Sequence, residues 1–477
     1  MNRFRTFIAL AIIAAGGCSS NLNTSTAPLP TGSAGPTPTP PPVSKIQHVI
    51  VMLQENRSFN NIFMSFPGTD TSTTGLCIPY TPPKHKEICP GPSPTPVPLQ
   101  QITLETCKCL GGTDIAHDHA AFEAEYDGGK MDGFDTISFG TAGGNGPALF
   151  YPYAFVERSE VQPYWDMASR YAVGDHMFST ATTDSFVAHQ QIIAGTTALN
   201  SNESLVDTPS SIPWGCDNED KRTTTGLIYR NGKVDDNAGP FPCLTQYKTM
   251  ADVLDAAKVS WRFYVAGFLD DFSGGVWNGF DAIKGVRYGS DWKNISTPNT
   301  KIFKDIKAGT LPQVSWVIPY LPDSDHPASG NNKGPSWVSS VVNAVGQSPY
   351  WNSTVIVVLW DDWGGFYDNV PPPQLDYTSL GMRVPLLVIS PYAKRHYVSK
   401  TQYEFGSVLK FIEQNFSTGS LGATDVRANS IGDILDFKQS PGKFTPFRAP
   451  FGQAYFLRRP GFTRSQEIIQ KDGGPPD

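Results

Sequence analysis

Two polar clusters follow strongly apolar runs in this sequence. Glu55 and Asn56 come directly after HVIVMLQ, and Asp361 and Asp362 come directly after STVIVVLW. Three carboxylates and one amide oxygen brought together would repel one another unless a cation neutralised them, and oxygen ligands suit a hard divalent ion. A single Asp-Asp pair is more often a solvated turn. Because two strand ends carry such clusters, a site for one divalent metal ion is an equally good interpretation. The identity of the metal is left open.

A serine at the start of a helix-like stretch is the third candidate for chemistry. Ser185 opens SFVAHQQIIAG, where unpaired backbone N–H groups and the helix dipole would favour an anion. A lone serine at this position is by default a helix N-cap. It could instead be a nucleophile that attacks phosphorus. In that case a Lewis acid or a base must activate it, because a serine hydroxyl is not acidic enough at neutral pH.

Histidines in polar loops complete the set of candidates. His117 and His119 lie in IAHDHAAFEAEYDGGKMDGF, and His326 lies in LPDSDHPASG. A lone histidine is more often structural, but one in a loop of Gly, Pro and Asp could donate to phosphoryl oxygens or protonate a leaving group. His189, one helical turn after Ser185, could face the same site or pack behind it.

Continuous apolar runs predict the elements that must position these residues. Buried strands are predicted at residues 48–54, 259–267, 312–319, 353–360 and 384–391. Helix-like stretches alternate with them at residues 160–172, 185–195, 247–258, 335–347 and 405–416. This alternation predicts an α/β fold, a three-layer α/β/α sandwich around a mostly parallel central sheet. Ligands of such sheets bind at the carboxyl ends of the strands, where both acidic clusters are expected.

Size and charge narrow the class of protein. The chain has 477 residues, 39% of them hydrophobic, which is enough to bury one large core or two smaller ones. Its formal net charge is −7, and it has no basic run beyond pairs such as Lys394 and Arg395. This balance argues against nucleic acid as a partner.

The first residues, MNRFRTFIALAIIAAGGCSS, have the features of an export signal. Arg3 and Arg5 form a basic start, and the apolar stretch after them is too short to span a bilayer as a stable helix. The pattern resembles a bacterial lipoprotein signal and predicts a signal peptide over residues 1–17, with lipid on the thiol of Cys18. Because Ala15 stands where Leu is commoner, a plain secretory signal is the alternative.

The segment after the predicted signal is expected to be a tether. Residues 18–44 are rich in Ser, Thr, Gly and Pro and cannot bury enough apolar surface to fold. We therefore expect an exported protein, held by lipid on Cys18 to the bacterial envelope, in the periplasm or at the cell surface. Residues 45–477 predict a single domain, with a Cys- and Pro-rich insertion over about 66–112 and a C-terminal tail that wraps the surface from about 438.

The cysteines favour disulfide bonds. Six remain apart from Cys18, and an even number in an exported chain is typical of disulfides. We predict a bond between Cys216 and Cys243, which would close a polar excursion. A zinc site among the remaining cysteines is the less favoured alternative, because CKC lacks the usual two-residue spacer. The connectivity of these four stays open: Cys77, Cys89, Cys107 and Cys109.

Six motifs occur in an order that resembles a known family. They are QENRSF (54–59), the block from His117 to GGKMDGF, the Ser185 helix, DSDHP (323–327), WDDWGGFYDNVPPP (360–373) and GMRVPLLVISPYAK (381–394). Together they resemble the bacterial phosphoesterase family of phospholipases C and AcpA-type acid phosphatases, over roughly residues 46 to 437. This resemblance implies a fold similar to that of alkaline phosphatase, with the metal and the nucleophile at the strand ends.

The resemblance also implies roles for individual residues. Ser185 matches a nucleophile that forms a phosphoryl-enzyme intermediate. His117 and His326 match histidines that line the phosphate pocket, and Asp325 could orient the imidazole of His326. The metal-binding positions of the family match Glu55, Asn56, Asp361 and Asp362.

Departures from the family pattern favour its acid phosphatase branch. Many of its phospholipases C carry Thr as the nucleophile in a Gly-Pro-Thr setting, whereas this chain has Ser185 between Asp184 and Phe186. The second acid of the strand-end pair is often Glu in the phospholipases and is Asp362 here. The extended C-terminal domains of the larger phospholipases are also missing from this sequence.

These observations predict a metal-dependent phosphoesterase that works through a phosphoserine intermediate, in the manner of an acid phosphatase. Its partner would be a small-molecule phosphate ester or a phospholipid headgroup. One alternative is a phospholipase C that cleaves phosphodiesters of the phosphatidylcholine type. An alternative of another class is a non-catalytic, surface-binding lipoprotein. That alternative would require lost ligands, yet the candidate ligands and Ser185 are all present.

Overall fold

The computed structural model describes most of the chain between residues 45 and 458. The described residues are 45–78, 89, 94–105, 114–140, 148–239, 241, 243–268, 270–327, 329 and 332–458. They all belong to one compact unit. The predicted signal peptide and tether lie outside the described residues, as do Cys107 and Cys109 and parts of the predicted insertion and tail.

The strands and helices are numbered in chain order. The strands are β1 (His48–Gln54), β2 (Thr74–Cys77), β3 (Thr95–Pro98), β4 (Gln100–Ile102), β5 (Ala154–Val156), β6 (Ala172–Met177), β7 (Glu203–Val206), β8 (Thr225–Tyr229), β9 (Val234–Ala238), β10 (Trp261–Tyr264), β11 (Ile295–Ser296), β12 (Val314–Val317), β13 (Thr354–Trp360), β14 (Leu386–Ile389) and β15 (Tyr397–Tyr403). The helices are α1 (Phe59–Phe63), α2 (His119–Tyr126), α3 (Arg158–Arg170), α4 (Ser185–Ala194), α5 (Met250–Ala256), α6 (Ser273–Val276), α7 (Lys284–Arg287), α8 (Lys301–Ala308), α9 (Gly334–Gly346), α10 (Phe405–Phe416), α11 (Thr424–Arg427) and α12 (Gln453–Phe456).

A central sheet of eight strands runs through the described residues, in the order β11-β10-β12-β1-β13-β14-β6-β15. Neighbouring strands are parallel except at β14, which is antiparallel to both β13 and β6. The carboxyl ends of the parallel strands therefore lie at one edge, called here the carboxyl edge. The opposite edge, where β1, β6, β13 and β15 begin, is called the amino edge.

Both faces of this sheet are covered. Every residue of β1 and β13 is buried, and successive residues of a strand face opposite sides. The covering helices form two packed groups, with α3, α8, α9 and α12 in one group and α4, α5, α10 and α11 in the other. The predicted three-layer α/β/α architecture with a mostly parallel sheet is confirmed. All five predicted strands belong to this sheet, and all five predicted helices are present.

Three strands of the sheet were not predicted: β6, β15 and β11, which has only two residues. The sequences of β6 and β15, AVGDHM and YVSKTQY, carry polar residues that interrupt the apolar run expected of a buried strand. Asp175 of β6 is nevertheless fully buried, because Arg383 Nη1 donates to its carboxylate at 3.1 Å. A buried ion pair of this kind cannot be recognised from a run of residue types.

The disulfide predicted between Cys216 and Cys243 is confirmed. A second disulfide joins Cys77 to Cys89, beside the hairpin of β2 and β3. In the described part of the tail, Phe447 and Phe456 are buried. No helix in the described ranges combines the length and the apolar character that a bilayer crossing requires.

Candidate active site

The two acidic clusters meet at the carboxyl edge because their strands are neighbours. The register of β1 and β13 pairs Gln54 with Trp360, so Glu55 and Asp361 leave the sheet side by side. Asn56 N donates to Asp361 Oδ1 at 3.0 Å, and Asp361 N donates to Gln54 O at 3.1 Å. Residues more than three hundred positions apart in the sequence are thereby fixed against each other by strand pairing and two backbone donors.

A tight turn after each strand brings the remaining oxygens inward. Asn56 has a φ of 54°, and Arg57 N donates to Asp362 O at 3.0 Å. Gly364, with a φ of 60°, passes so close that a Cβ atom on it would lie 2.2 Å from Asn56 O. Gly364 N in turn donates to Asp362 Oδ1 at 2.8 Å. The glycines of WGGF are therefore required for the close approach of the two turns.

Ser185 lies at the centre of these oxygens. Its Oγ is 3.2 Å from Asp362 Oδ2 and 3.4 Å from both Glu55 Oε2 and Asn56 Oδ1. Asp184 occupies the N-cap of α4, and Ser185 is the first residue inside the helix. The default interpretation of Ser185 as an N-cap is therefore wrong. The hydroxyl has one proton for three acceptors, and all four of these side chains are fully buried.

Asn56 presents its oxygen to Ser185 because His117 holds the other end of the amide. His117 Nδ1 lies 2.6 Å from Ile115 O and therefore carries the proton that it donates there. The Nε2 atom is then an acceptor for Asn56 Nδ2, at 2.9 Å. Assigned in this way from the hydrogen-bond network, the tautomer of His117 fixes the orientation of the Asn56 amide.

His189 joins the acidic group, although the sequence left its position open. Its Nε2 lies 3.0 Å from Glu55 Oε1 and 3.7 Å from Asp361 Oδ2. The Nδ1 atom lies 3.1 Å from Trp277 O, to which it donates. Burial lowers the pKa of His189 to about 4, so the neutral ring turns a bare nitrogen toward two carboxylates. The spacing of His189 four residues after Ser185, on one helix face, is the signal that could have identified it.

These residues fit a metal ion. Glu55, His189 and Asp361 offer ligand atoms that all lie within 4.8 Å of one another. Asp361 Oδ2 has no hydrogen-bond donor within the described part of the chain. Buried carboxylates facing one another and an imidazole lone pair are mutually repulsive, and a cation between them removes the repulsion. This group combines the nitrogen atom of His189 with two of the four oxygen ligands predicted from the sequence, Glu55 and Asp361.

His326 lies in the same buried region. Its Nδ1 is 2.6 Å from Pro327 O, while Nε2 is buried without a hydrogen-bond partner among the described residues. Burial lowers the pKa of His326 to about 4, and the charge of Asp361 acts on the ring in the opposite direction. Glu55 N donates to Ser324 O at 2.7 Å, which connects the DSDHP loop to the turn after β1.

Asp325 does not orient His326, contrary to the expectation from the sequence. His326 Nδ1 contacts the carbonyl oxygen of Pro327 instead. The Asp325 carboxylate accepts a hydrogen bond from Tyr164 Oη at 2.7 Å. The φ of Asp325 is 69°, in the left-handed region that a residue other than glycine rarely adopts. Its backbone oxygen accepts from Arg57 Nε at 2.9 Å.

Arg57 is a positioning residue that the sequence did not single out. It is fully buried, and its guanidinium lies 4.7 Å from the centre of the Phe366 ring. Besides Asp325 O, it donates to Leu104 O at 2.7 Å. A buried cation held by carbonyl oxygens connects the turn after β1 to two other loops. Burial lowers its pKa to about 10, so it stays charged at neutral pH.

Comparisons with known proteins match most of the chain. The family model described as the Phosphoesterase family matches residues 46–419. Phospholipase C B of Mycobacterium tuberculosis is 24% identical over 454 residues, which cover 85% of this chain and 80% of that protein. The hemolytic phospholipase C of Pseudomonas aeruginosa is also 24% identical over 454 residues, which cover 82% of this chain and 56% of that protein.

Solved structures match more weakly. A protein of the alkaline phosphatase superfamily from Vibrio parahaemolyticus matches with a TM-score of 0.32 and 10% sequence identity. The match covers 57% of this chain and 65% of that one. A score this low does not inform the function.

The buried Asp325 carboxyl predicts a pH-dependent effect of Asp325→Asn. Burial raises the pKa of Asp325 to about 7, so the folded protein favours the neutral carboxyl. As the pH rises from about 4 to 7, the unfolded chain ionises first and native stability is lost. Asparagine is neutral throughout. The free energy of unfolding of the variant, minus that of the native protein, should increase by about 3–4 kcal/mol from pH 4 to pH 8, measured by urea denaturation.

Comparing two pH values removes any constant effect of placing an amide at this position. Asp236→Asn, at an exposed position, is the control for the same change elsewhere. If the difference between Asp325→Asn and native protein is equal at pH 4 and pH 8, burial does not hold this carboxyl neutral.

Proposed function

Because the chain belongs to the Phosphoesterase family of phosphoric ester hydrolases, we propose that it hydrolyses phosphate esters with Ser185 as the nucleophile. One observation carries the proposal: Ser185 Oγ lies within 3.4 Å of Glu55, Asn56 and Asp362 at the first residue of a helix. The backbone N–H groups at that helix end can receive the phosphoryl oxygens of a substrate. The acceptors around the hydroxyl can remove its proton.

We propose that one divalent metal ion completes the site, held by a subset of the four predicted ligands together with His189. When bound, the ion polarises a phosphoryl oxygen and lowers the pKa of the serine hydroxyl. The imidazole is compatible with Zn²⁺ and other transition metals, in addition to the hard ions that carboxylates favour. His117 keeps Asn56 Oδ1 directed toward the serine through the hydrogen bond to Asn56 Nδ2.

The proposed reaction proceeds in two displacements. Ser185 Oγ gives its proton to Asp362 Oδ2, the nearest acceptor at 3.2 Å, and forms a bond to phosphorus as the bond to the leaving oxygen breaks. His326 supplies the proton of the leaving group from Nε2, because a bound phosphate beside the ring favours the protonated imidazole. Water then gives a proton to His326 Nε2 and bonds to phosphorus as the phosphoserine P–O bond breaks, and Ser185 Oγ takes its proton back from Asp362.

A phosphate monoester is the proposed substrate class, as in the acid phosphatase branch that the Asp184-Ser185-Phe186 setting resembles. A phospholipase C activity on phosphodiesters of the phosphatidylcholine type is the second candidate. It is favoured by the relatives named phospholipase C, one of which matches over 85% of this chain.

We also propose that the protein is exported and anchored to the bacterial envelope by lipid on Cys18. The signal-like start of the sequence supports this location. The disulfides Cys77–Cys89 and Cys216–Cys243 add support, since such bonds persist in oxidising compartments.

Replacement of the nucleophile tests the proposal. Ser185→Ala should lower kcat for p-nitrophenyl phosphate by at least about a thousandfold, since no attacking oxygen remains. Acid quenching of the native enzyme during turnover, followed by mass spectrometry, should find a phosphoryl group on the Ser185 peptide. An unchanged thermal unfolding midpoint controls for folding. Substantial activity of Ser185→Ala would remove the nucleophile assignment.

Metal depletion separates the enzyme from the non-catalytic alternative. The purified protein should contain about one divalent ion per chain by elemental analysis, if the group of Glu55, His189 and Asp361 holds the proposed ion. Chelation should remove activity, and the returned metal should restore it. Asp361→Asn should lower the metal content, whereas Asp236→Asn should not. A native protein that is metal-free and inactive would favour a surface-binding lipoprotein.

Paired substrates decide between the two ester classes. A monoesterase should have a kcat/KM for p-nitrophenyl phosphate at least about tenfold above that for p-nitrophenyl phosphorylcholine, because only the monoester presents three free oxygens to the site. A reversed ratio, together with release of phosphorylcholine from phosphatidylcholine vesicles, would identify a phospholipase C. Both assays should lose their activity in Ser185→Ala.

A further inference from the structure

A cleft on the amino edge of the sheet carries positive charge that the proposed reaction does not use. Its volume is about 300 Å³, and its charged lining residues are Arg170, Arg395 and Lys443, with no carboxylate in the lining. The segments 391–396 and 436–448 together contain five Lys or Arg residues and one Asp. In a chain of net charge −7, this is a local reversal of sign.

The cleft lies far from Ser185. Tyr171 lines it just before β6 begins, and Ser390 lines it just after β14 ends. Ser390 Oγ donates to Thr354 O, the first residue of β13, at 2.9 Å. The seven residues of β13 separate this edge from Asp361 by about 20 Å. The cleft is therefore a second site and not an extension of the first.

One cation of the cleft, Arg170, is held in place, but the cations are not neutralised by carboxylates in the described part of the chain. Arg170 Nη1 donates to Thr445 O at 2.9 Å, and its guanidinium lies 4.3 Å from the centre of the Phe447 ring. Within the described ranges, none of Arg170, Arg395 and Lys443 forms an ion pair. Their charge is therefore available to an anionic ligand.

A largely buried tyrosine lies among these cations. The ring of Tyr171 packs against Trp351 and Phe447, with ring centres 5.9 and 6.3 Å away. Burial raises the pKa of Tyr171 to about 12, against the opposing positive charges of Arg170 and Arg395. The phenol is therefore protonated at neutral pH and makes no hydrogen bond within the described part of the chain. Guanidinium, ammonium and phenol groups together offer many donors, a set that suits the oxygens of a phosphate group.

The chain enters the folded domain at this same edge. Gln47 N donates to Ser353 O at 2.8 Å, just before β13 begins. Lys45, the first described residue, donates from Nζ to Phe437 O and lies 5.5 Å from the centre of the Tyr392 ring. The predicted tether of residues 18–44 therefore joins the domain beside the basic segments.

We propose that this cleft binds the phosphate groups of anionic membrane phospholipids, with the amino edge facing the bilayer and the Ser185 site facing away from it. Charge complementarity supports the choice of ligand, since Lys and Arg near an anionic leaflet each strengthen attachment. The orientation rests on the proposed lipid anchor, because a basic surface beside an anchor adds a second membrane signal. Neither part depends on hydrolysis by Ser185.

Vesicle co-sedimentation tests the proposal with the full chain. Cys18→Ser removes the lipid, and Ser185→Ala prevents turnover of the vesicles. At low salt this chain should bind vesicles of phosphatidylglycerol and phosphatidylcholine but not vesicles of phosphatidylcholine alone, and high salt should release it. Adding Arg170→Glu, Arg395→Glu and Lys443→Glu should weaken binding by at least about tenfold.

A matched variant controls for net charge. Lys221→Glu, Lys233→Glu and Lys248→Glu make the same change at exposed positions outside the cleft, and binding should be retained. Equal losses in the two triple variants, or equal binding to both kinds of vesicle, would overturn the proposal. So would binding of inorganic phosphate at the cleft without vesicle binding, which would indicate a small-anion site.

An activity assay shows whether the cleft variant is still folded. With Ser185 restored, the cleft variant should hydrolyse p-nitrophenyl phosphate at the native rate, because the cleft is remote from the serine. If the triple variant is inactive, Arg395→Glu alone, at an exposed position, repeats the vesicle test with a smaller expected loss. An inactive native enzyme that still binds anionic vesicles would contradict only the proposed hydrolysis.

Discussion

Crowded negative charge at the carboxyl edge is the constraint on which the rest of the structure depends. Glu55, Asp361 and Asp362 are fully buried around one serine hydroxyl. Buried carboxylates are costly unless they are paired or neutralised. Hydrogen bonds from backbone donors such as Asn56 N and Gly364 N partly stabilise these carboxylates. The remaining repulsion is what makes the group suited to a metal ion, and the proposed nucleophile Ser185 needs such a Lewis acid or a base to activate it.

A rigid framework is needed to keep like charges this close. Parallel strands β1 and β13 fix the two acidic turns, and the helix that begins at Ser185 brings its N-terminus against them. Buried Arg57 connects the loops around the site, because it donates hydrogen bonds to carbonyl oxygens of two loops and packs against the Phe366 ring. The same parallel arrangement separates the two edges of the sheet. One edge collects acidic groups around Ser185. The other, beside the point where the chain enters the domain, collects cations that form no ion pair with any residue the structure describes.

The fold could be predicted from the sequence where local pattern and burial agree. β1 and β13 are uninterrupted apolar runs, and both were predicted with nearly their observed ends. β6 and β15 were missed because buried polar residues, such as Asp175, are compensated by partners distant in sequence. The bond between Cys216 and Cys243 was predictable because it closes a single polar excursion, whereas the partner of Cys77 was not.

The sequence by itself determined which residue types stand at the strand ends and that a serine opens the helix, because these are properties of local pattern. Only the tertiary structure decided their partners. His189 joins the acidic group, His117 orients Asn56, and Asp325 turns to Tyr164 instead of His326. The physical reason is that such contacts depend on strand register and on backbone turns with positive φ. These bring together side chains from separate parts of the chain and leave no periodic trace in the residues between them.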